Sequence, residues 1–273
     1  MKILIYLDGE SYNHPPVLMG KMISEATGGS ITVLVIQSKD GHVENCYAVV
    51  EQVKVDLTGY TPEIQIKQGE PIEIIRDELE NEEYQLVITN ADRVHRVRKS
   101  AEFDPKFIKH SATSLLITQN TKPKLEKILI CSACKGDDFS LINQAAGLVQ
   151  NLNALVTLMH VFPGSVPSMY TGLEQIEETV EEILQTNTPY AQYLRGGVEI
   201  LQDANIESEV KIRWGIPIDE IVRETQLFNY DLVVIGSSEV DQGIKEMLLG
   251  NMTRKVIDRV DLPVLIVGSC KLE

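Results

Sequence analysis

Two cysteines, Cys131 and Cys134, are the residues whose types and spacing most directly suggest chemistry. A Cys-x-x-Cys pair between a strand and a helix is typical of redox sites, because the helix N-terminus lowers the pKa of a thiol. Zinc would need a second pair of ligands, and only Cys46, Cys270 and five histidines are available elsewhere. Because no Trp or cis-Pro signature accompanies the pair, we favour the interpretation of two small strand-end residues.

A second group of closely spaced side chains is basic. Its members are Arg93, His95, Arg96, Arg98 and Lys99. Guanidinium groups bind phosphate through charge-assisted hydrogen bonds, so this run is a candidate anion site. Charge runs usually lie in water, however, and we favour a solvated loop or a contact to acidic parts of the chain.

Catalytic constellations are not discernible in the sequence. No Ser/His/Asp order and no pair of carboxylates suited to acid–base chemistry is present. His160 lies near the end of an apolar strand, a position typical of a histidine with satisfied hydrogen bonds at the edge of a core. We therefore predict that the protein is not an enzyme.

The elements that would position these residues occur twice. The sequence IKQGEPIEII at 66–75 returns as IRWGIPIDEI at 212–221, and each copy leads to an apolar strand that begins beside Tyr84 or Tyr230. Because the repeat unit is longer than about a hundred residues, it indicates a duplicated domain and not a solenoid. The predicted domains are 1–120 and 125–273, joined by a polar linker that contains Pro123.

Short apolar strands alternate with helical patterns in both halves. The predicted strands are 2–7, 31–36, 63–67, 85–89 and 114–118, then 126–131, 154–161, 209–213, 231–236 and 263–267. The predicted helices are 16–26, 44–57, 71–79 and 103–110, then 139–150, 172–202 with breaks, 217–225 and 244–260. This alternation predicts an α/β fold with a mostly parallel sheet covered on both faces.

The composition and net charge of the chain limit the classes of molecule that it can bind. The chain has 273 residues, of which 43% are apolar and 24% charged, and its net charge is −15. Such a charge disfavours nucleic acids and anionic membranes, which need a basic surface, but it does not exclude a small anionic ligand. The apolar run after Met1 is too short for a signal peptide and no stretch is long enough to span a bilayer, so we expect a cytoplasmic protein.

The second half resembles the universal stress protein family. The matching stretches are DLVVIGS at 231–237, Gly243, LLGNMT at 248–253 and LPVLIVG at 262–268, with KILI at 127–130 and LMHV at 158–161. The first half is a degenerate copy. The resemblance implies two doubly wound α/β/α domains, each with five strands in the order 3-2-1-4-5, that pair through segments 114–118 and 263–267. It also implies a stress-response regulator, with an unknown regulatory protein as partner and a homodimer as a further assembly.

In the nucleotide-binding members that this half resembles, a glycine loop follows the fourth strand with the pattern Gly-x2-Gly-x9-Gly-Ser/Thr. Such a loop lets backbone N–H groups approach phosphates at a helix start. Gly236 matches the first position, but Glu239 stands at the second glycine and Asn251 replaces the hydroxyl residue. Glu239 and Asp241 would repel phosphate unless a metal ion such as Mg²⁺ intervened.

The family also places an aspartate after its first strand. The first half has Asp8-Gly9 there, whereas the second half has Ala133, so neither half carries a complete site. The predicted binding residues are Ala133, Val161, Gly236, Ser237, Gly243, Gly250, Asn251 and Met252, with Asp8 and Gly9 in the first half. The resemblance implies ATP or another adenine nucleotide, with Mg²⁺, in the second half. A ligand-free interaction scaffold is the alternative, and a redox-sensing protein is a further one.

Overall fold

A computed structural model of the chain describes residues 1–37, 43–90, 113–134, 138–164, 179–236 and 246–268. The chain divides into two compact units. Unit 1 comprises Met1–Lys124 with Asp261–Glu273, and unit 2 comprises Leu125–Val260. The change from unit 1 to unit 2 therefore falls at the predicted linker, while the last segment clusters with unit 1.

Unit 1 alternates strands and helices in the predicted order. Its strands are β1 (Lys2–Asp8), β2 (Ser30–Gln37), β3 (Glu63–Gln68), β4 (Leu86–Asn90) and β5 (Ser114–Thr118), with β10 (Val264–Val267) from the end of the chain. Its helices are α1 (His14–Thr27), α2 (Val43–Asp56) and α3 (Pro71–Asn81). The helix predicted at 103–110 and the basic run that begins at Arg93 lie outside the described residues.

The sheet of unit 1 has the order β3-β2-β1-β4-β5-β10. The first five strands are parallel and follow the predicted 3-2-1-4-5 order. β10 is antiparallel to β5, with Leu265 opposite Leu116. The predicted pairing of segments 114–118 and 263–267 is therefore confirmed.

Unit 2 repeats this alternation. Its strands are β6 (Lys127–Ser132), β7 (Leu155–Phe162), β8 (Ser208–Trp214) and β9 (Leu232–Gly236). Its helices are α4 (Asp138–Val149), α5 (Val180–Gln185), α6 (Pro189–Asp203), α7 (Pro217–Leu227) and α8 (Glu246–Arg259). The parallel order β9-β6-β7-β8 places the first strand of this unit between its second and fourth, as predicted.

The helix predicted at 172–202 is two helices in the described part of the segment. The side chain of Thr179 accepts a hydrogen bond from the N–H of Glu182, and Glu182 bonds back to the N–H of Thr179, so a capping box starts α5. α6 begins again at Pro189, the residue type best suited to a first helical turn.

The central strands form the core. Ile3, Leu4 and Ile5 of β1 are fully buried, as are Ile128, Leu129 and Ile130 of β6. A strand buried at successive residues is covered on both faces, as the unbroken apolar runs predicted. The α/β fold with a mostly parallel sheet is thus confirmed.

A buried carboxylate holds α7 against β8. Glu224 is 1% exposed, and its carboxylate accepts hydrogen bonds from Lys211 Nζ at 2.9 Å, Arg213 Nη2 at 2.6 Å and the Tyr230 hydroxyl at 2.9 Å. Desolvation by itself would raise the pKa of Glu224, but the hydrogen bonds from Lys211, Arg213 and Tyr230 lower it below its ordinary value. The carboxylate is therefore ionised and fully partnered.

Unit 1 contains a simpler version of the same network. Glu78, 4% exposed, accepts from the Tyr84 hydroxyl at 2.8 Å and from Lys67. The turn before the helix also recurs, because Gly69 and Gly215 have φ values of 147° and 148°, where a side chain would be strained. The duplication seen in the sequence is therefore also a duplication of the contacts that join strand to helix.

Candidate functional site

Three predicted binding residues of unit 2 follow or end neighbouring strands. β6 pairs with both β7 and β9, with Cys131 opposite Met159 on one side and Ile235 on the other. Since parallel strands end at one edge of a sheet, Ala133, Val161 and Gly236 lie along this edge, which we call the carboxyl edge of unit 2. Ligands of doubly wound folds bind at such edges.

The exit from β6 is held in a fixed conformation. The Ser132 hydroxyl accepts a hydrogen bond from the Cys134 N–H at 3.0 Å, and Cys134 has the left-handed φ of 52°. His160 Nδ1 lies 2.9 Å from the Ser132 carbonyl, which can only accept, so this nitrogen carries the proton. Ala133 between them is exposed and has no polar side chain for a ribose or a base.

Gly236 is a glycine that local packing does not require. Among the described residues, a Cβ built at this position would meet only Leu141 Cδ2, at the ordinary contact distance of 3.8 Å. By contrast, a Cβ on Gly197 would lie 2.7 Å from Ile142 Cδ1 and 2.9 Å from Leu158 Cδ2. The half-buried Gly236 therefore has space for a side chain as far as the described residues around the end of β9 are concerned.

Gly250, the last glycine of the predicted loop, was expected at the start of a helix, and the structure places it elsewhere. α8 begins at Glu246, so Gly250 and Asn251 lie inside the helix rather than ahead of it. Only the first four N–H groups of an α-helix lack an intrahelical partner, and Gly250 is beyond them. Met252 is half-buried one residue further on. We therefore correct the expectation: free N–H groups at this helix start belong to residues before Gly250.

The remaining loop residues lie outside the described part of the chain. These are Ser237, Glu239, Asp241 and Gly243. Their predicted roles, attractive or repulsive toward phosphate, stay predictions.

At the corresponding edge of unit 1, Asp8 and Gly9 are held by contacts within the protein. Asp8 Oδ1 accepts from the Glu10 N–H at 2.6 Å, and the Gly9 N–H donates to the Ile36 carbonyl at 2.9 Å. A Cβ on Gly9 would lie 2.3 Å from Cys46 Sγ, so this glycine is required by the close approach of α2. Asp8 and Gly9 are adjacent as predicted, but local contacts explain both residues without a ligand.

A polar cluster in unit 1 had no local sequence signal. The Tyr12 hydroxyl donates to the Asp56 carboxylate, and His14 Nδ1 lies 2.6 Å from Asp56 Oδ2. Desolvation would raise the pKa of Asp56, but the hydrogen bonds from Tyr12 and His14 lower it. The pKa of Tyr12 is raised by burial and by the neighbouring Asp56 carboxylate. The cluster joins the start of α1 to the end of α2, and only folding reveals it.

Aromatic rings meet at the ends of β7 and β8, a second feature that the sequence did not indicate. Phe162 and Trp214 are opposite each other in the ladder and stack with centroids 4.5 Å apart and planes 27° apart. Tyr190, in the first turn of α6, meets Phe162 edge-on at 4.6 Å, and His160 does so at 4.5 Å. The periodic spacing of strand and helix residues could have suggested that these four side chains share one edge.

Cys131, within β6, and Cys134, just after it, are free thiols in different surroundings. Cys134 Sγ lies 3.4 Å from Ser132 Oγ, on the face of the sheet that Ser132 occupies. Cys131 belongs to the opposite face, because successive strand residues alternate. Burial, with the charge of Glu224 as a further cause, raises the pKa of Cys131 to about 12. Redox cysteines have lowered thiol pKa values, so this arrangement does not resemble a redox pair.

The described residues contain neither a metal-binding cluster nor a membrane-spanning helix. No group of three or more His, Cys, Asp or Glu side chains there could hold a metal ion. In the same part of the chain, no helix has the length and apolar character needed to cross a bilayer.

The fold agrees with comparisons to known proteins. The profile of the Universal stress protein family matches residues 124–268, more than half of the chain. The chain therefore belongs to the universal stress protein family. The universal stress protein YxiE of Bacillus subtilis (strain 168) is 29% identical over 147 residues, which are 50% of this chain and 95% of the relative.

Two solved structures extend the likeness of fold to nearly the whole chain. A functionally unknown protein from Pseudomonas aeruginosa PAO1 has a TM-score of 0.68 at 19% identity, covering 98% of this chain and 92% of its own. A universal stress protein from Archaeoglobus fulgidus DSM 4304 has a TM-score of 0.64 at 16% identity, covering 100% and 97%. At these identities the likeness concerns the fold alone.

Proposed function

We propose that this chain is a tandem universal stress protein, a non-enzymatic cytoplasmic regulator of the stress response that binds ATP or another adenine nucleotide at the carboxyl edge of unit 2. The first unit, on this proposal, is a degenerate copy that supports the second. The regulator acts through a protein partner, and two chains form a homodimer.

The observation that carries the proposal is the open space at Gly236. A glycine that ends a strand at the carboxyl edge, and at which no described residue excludes a Cβ, is suited to the close approach of a ligand. Gly9 in unit 1 offers the contrast, because Cys46 explains that glycine completely. The edge of unit 2 therefore fits a nucleotide better than the edge of unit 1.

The residues that would hold the nucleotide follow from the edge and the family pattern. Ala133 and Val161 would line the side of the sugar and base, and Gly236 with Ser237 would begin the phosphate loop. Gly243 would continue this loop toward the start of α8, whose free N–H groups come before Gly250. Mg²⁺ bound with the nucleotide would supply positive charge to the phosphates, which the acidic loop residues otherwise repel.

Isothermal titration calorimetry tests the proposal. We expect ATP to bind the full chain, and to bind more tightly in Mg²⁺ than in EDTA. AMP serves as the matched ligand with fewer phosphates, and GTP as the one with another base. Mass spectrometry of protein purified without added nucleotide gives an independent check on a co-purified ligand. The proposal fails if ATP produces neither heat nor a thermal shift in Mg²⁺.

A ligand-free interaction scaffold is the second candidate, favoured by an apolar patch on α7. Leu227 is 64% exposed and Phe228 is 41% exposed. The repeat places exposed Asn81 and Glu82 at the same positions of unit 1. Exposed apolar side chains that replace polar ones mark a surface for contacts with other proteins.

A further inference from the structure

The duplication lets each unit serve as a reference for the other. Residues that join strand to helix occupy matching places in both, including Glu78 and Glu224, which receive hydrogen bonds from Tyr84 and Tyr230. Residues that the fold requires are thus present twice. Where the two units have the same backbone pairing but different side chains at matching positions, the fold does not explain the difference, and another reason is needed.

Such a difference occurs where the second and third strands of each unit end. In unit 1, Gln37 of β2 is opposite Gln68 of β3. In unit 2, the matching ladder ends with Phe162 opposite Trp214. The same backbone pairing therefore forms with two amides or with two aromatic rings, and the rings are not required for it.

The aromatic rings in unit 2 form one connected cluster. Phe162 is its centre, stacked on Trp214 at 4.5 Å and met edge-on by Tyr190 at 4.6 Å and His160 at 4.5 Å. Phe162, Tyr190 and Trp214 are half-buried, whereas His160 is 7% exposed. Aromatic faces of this kind offer a large contact area at small entropic cost.

Cations on the same elements are already paired. Arg213 of β8 donates to Glu224 at 2.6 Å. Arg195 of α6 donates to the carbonyls of Leu184 and Thr186, the latter at 2.8 Å. In a chain with a net charge of −15, an anionic ligand at this edge would gain affinity from stacking of a neutral ring more readily than from these cations.

We propose that Phe162, Tyr190 and Trp214 form an aromatic platform that binds the base of the nucleotide. This proposal rests on the proposed function, and it names the part of the ligand that unit 2 recognises at the ends of β7 and β8. Stacking of a base on an aromatic side chain is insensitive to the identity of the base, since every base has a π-face. We therefore expect the platform itself to add similar affinity to ATP and to GTP, so that any preference for adenine arises from other contacts.

The fluorescence of Trp214 reports on the platform directly, because the chain contains a single tryptophan. The full-length protein is titrated with ATP, with adenosine and with inorganic tripolyphosphate, each in Mg²⁺. We expect ATP and adenosine to quench the emission and tripolyphosphate to leave it unchanged. Calorimetry under the same conditions measures binding independently of the probe.

Variants then separate stacking from folding. Trp214→Gln introduces the residue type that unit 1 carries at the matching place, so the fold should be retained, as circular dichroism checks. We expect this variant to bind ATP about tenfold or more weakly, and Trp214→Phe to restore most of the affinity. Adding Gln68→Trp to Trp214→Gln moves the tryptophan to unit 1, where ATP should not quench it.

Each outcome decides between the two proposals. If calorimetry gives the same affinity for ATP in the wild type and in Trp214→Gln, the platform is overturned and the proposed function stays intact. Quenching by adenosine without any binding of ATP supports the platform and overturns the phosphate site. If neither adenosine nor ATP changes emission or produces heat, both proposals fail, and the rings are packing for the protein's own chain.

Discussion

At the scale of single residues, the glycines show which positions serve packing and which leave space. A side chain on Gly9 would collide with Cys46, and one on Gly197 would collide with Ile142 and Leu158. At Gly236 the part of the chain that the structure describes offers no such neighbour, since a methyl group would meet Leu141 at the ordinary distance of 3.8 Å. The family pattern alone treats glycines as one class, whereas the structure separates them by what a methyl group would meet.

We predict that Gly236→Ala weakens ATP binding and leaves stability unchanged. The added methyl group occupies the space that the nucleotide needs, so the affinity should fall on the order of tenfold, measured by calorimetry. Gly197→Ala is the matched control, because its methyl group enters the packed core and should cost about 1 to 3 kcal/mol in urea unfolding. A Gly236→Ala protein that binds ATP like the wild type would contradict the assignment of this edge.

The thiol of Cys131 provides a second prediction at this scale. Because burial raises the pKa of Cys131 to about 12, iodoacetamide should label Cys131 far more slowly in the folded protein than in urea. Peptide mass spectrometry over time measures both rates. Rapid labelling of folded protein, or a reversible disulfide between Cys131 and Cys134 under mild oxidant, would restore the redox interpretation.

At the scale of elements, the strand–helix joints depend on buried carboxylates. Glu224 has two cationic partners, Lys211 and Arg213. The side chain of Lys211 is 20% exposed and that of Arg213 is 35% exposed. Glu78 has Lys67, which is 39% exposed. Removing a buried carboxylate leaves its cation without a partner, and the cost is smaller when that cation can reach water.

We predict that Glu224→Gln destabilises the protein by about 2 to 3 kcal/mol at pH 7, and that Glu78→Gln has a smaller effect of about 1 to 2 kcal/mol. The folded pKa of Glu224 is lowered, so its contribution is present above the unfolded pKa, about 4.3, and is lost as the pH falls toward the folded value. Urea unfolding at pH 7 and pH 4 measures this. Equal differences between wild type and Glu224→Gln at both pH values would contradict it.

Sequence patterns predicted the elements better than the site. The repeat of 66–75 at 212–221, with β-branched runs between helical patterns, predicted the strands, the helices and the duplication. The strand order came from the resemblance to the universal stress protein family. Burial of Glu78 and Glu224 was not predictable, since charged residues usually lie in water and their partners come from another element. The position of Gly250 depended on where α8 begins, and the stacking of Phe162 on Trp214 depended on the register of two strands.

At the scale of the whole molecule, the two units differ in how the chain builds them. Unit 2 is one continuous stretch from Leu125 to Val260, whereas unit 1 combines the N-terminal stretch with β10. Leu265 of β10 is 2% exposed and lies opposite Leu116 of β5. Stability of β5 should therefore depend on residues far away in the sequence.

We predict that Leu265→Asp removes amide protection from β5 in hydrogen exchange. A carboxylate buried between strands costs several kcal/mol, so the β10–β5 pairing should open and the amides of Ser114–Thr118 should exchange faster. Leu227→Asp is the matched control, because Leu227 is 64% exposed and its replacement should alter no strand. Unchanged protection of β5 in Leu265→Asp would show that β10 does not support it.

The position of β10 reverses the usual order in which domains mature on the ribosome. Domains generally fold from the N-terminus onward as the nascent chain emerges. Here every strand of unit 2 has been translated before Val264–Val267 exist, while the sheet of unit 1 still lacks its last member. The unit that is synthesised first is therefore the last to be completed, and until then β5 presents an unpaired edge on which chaperones can act.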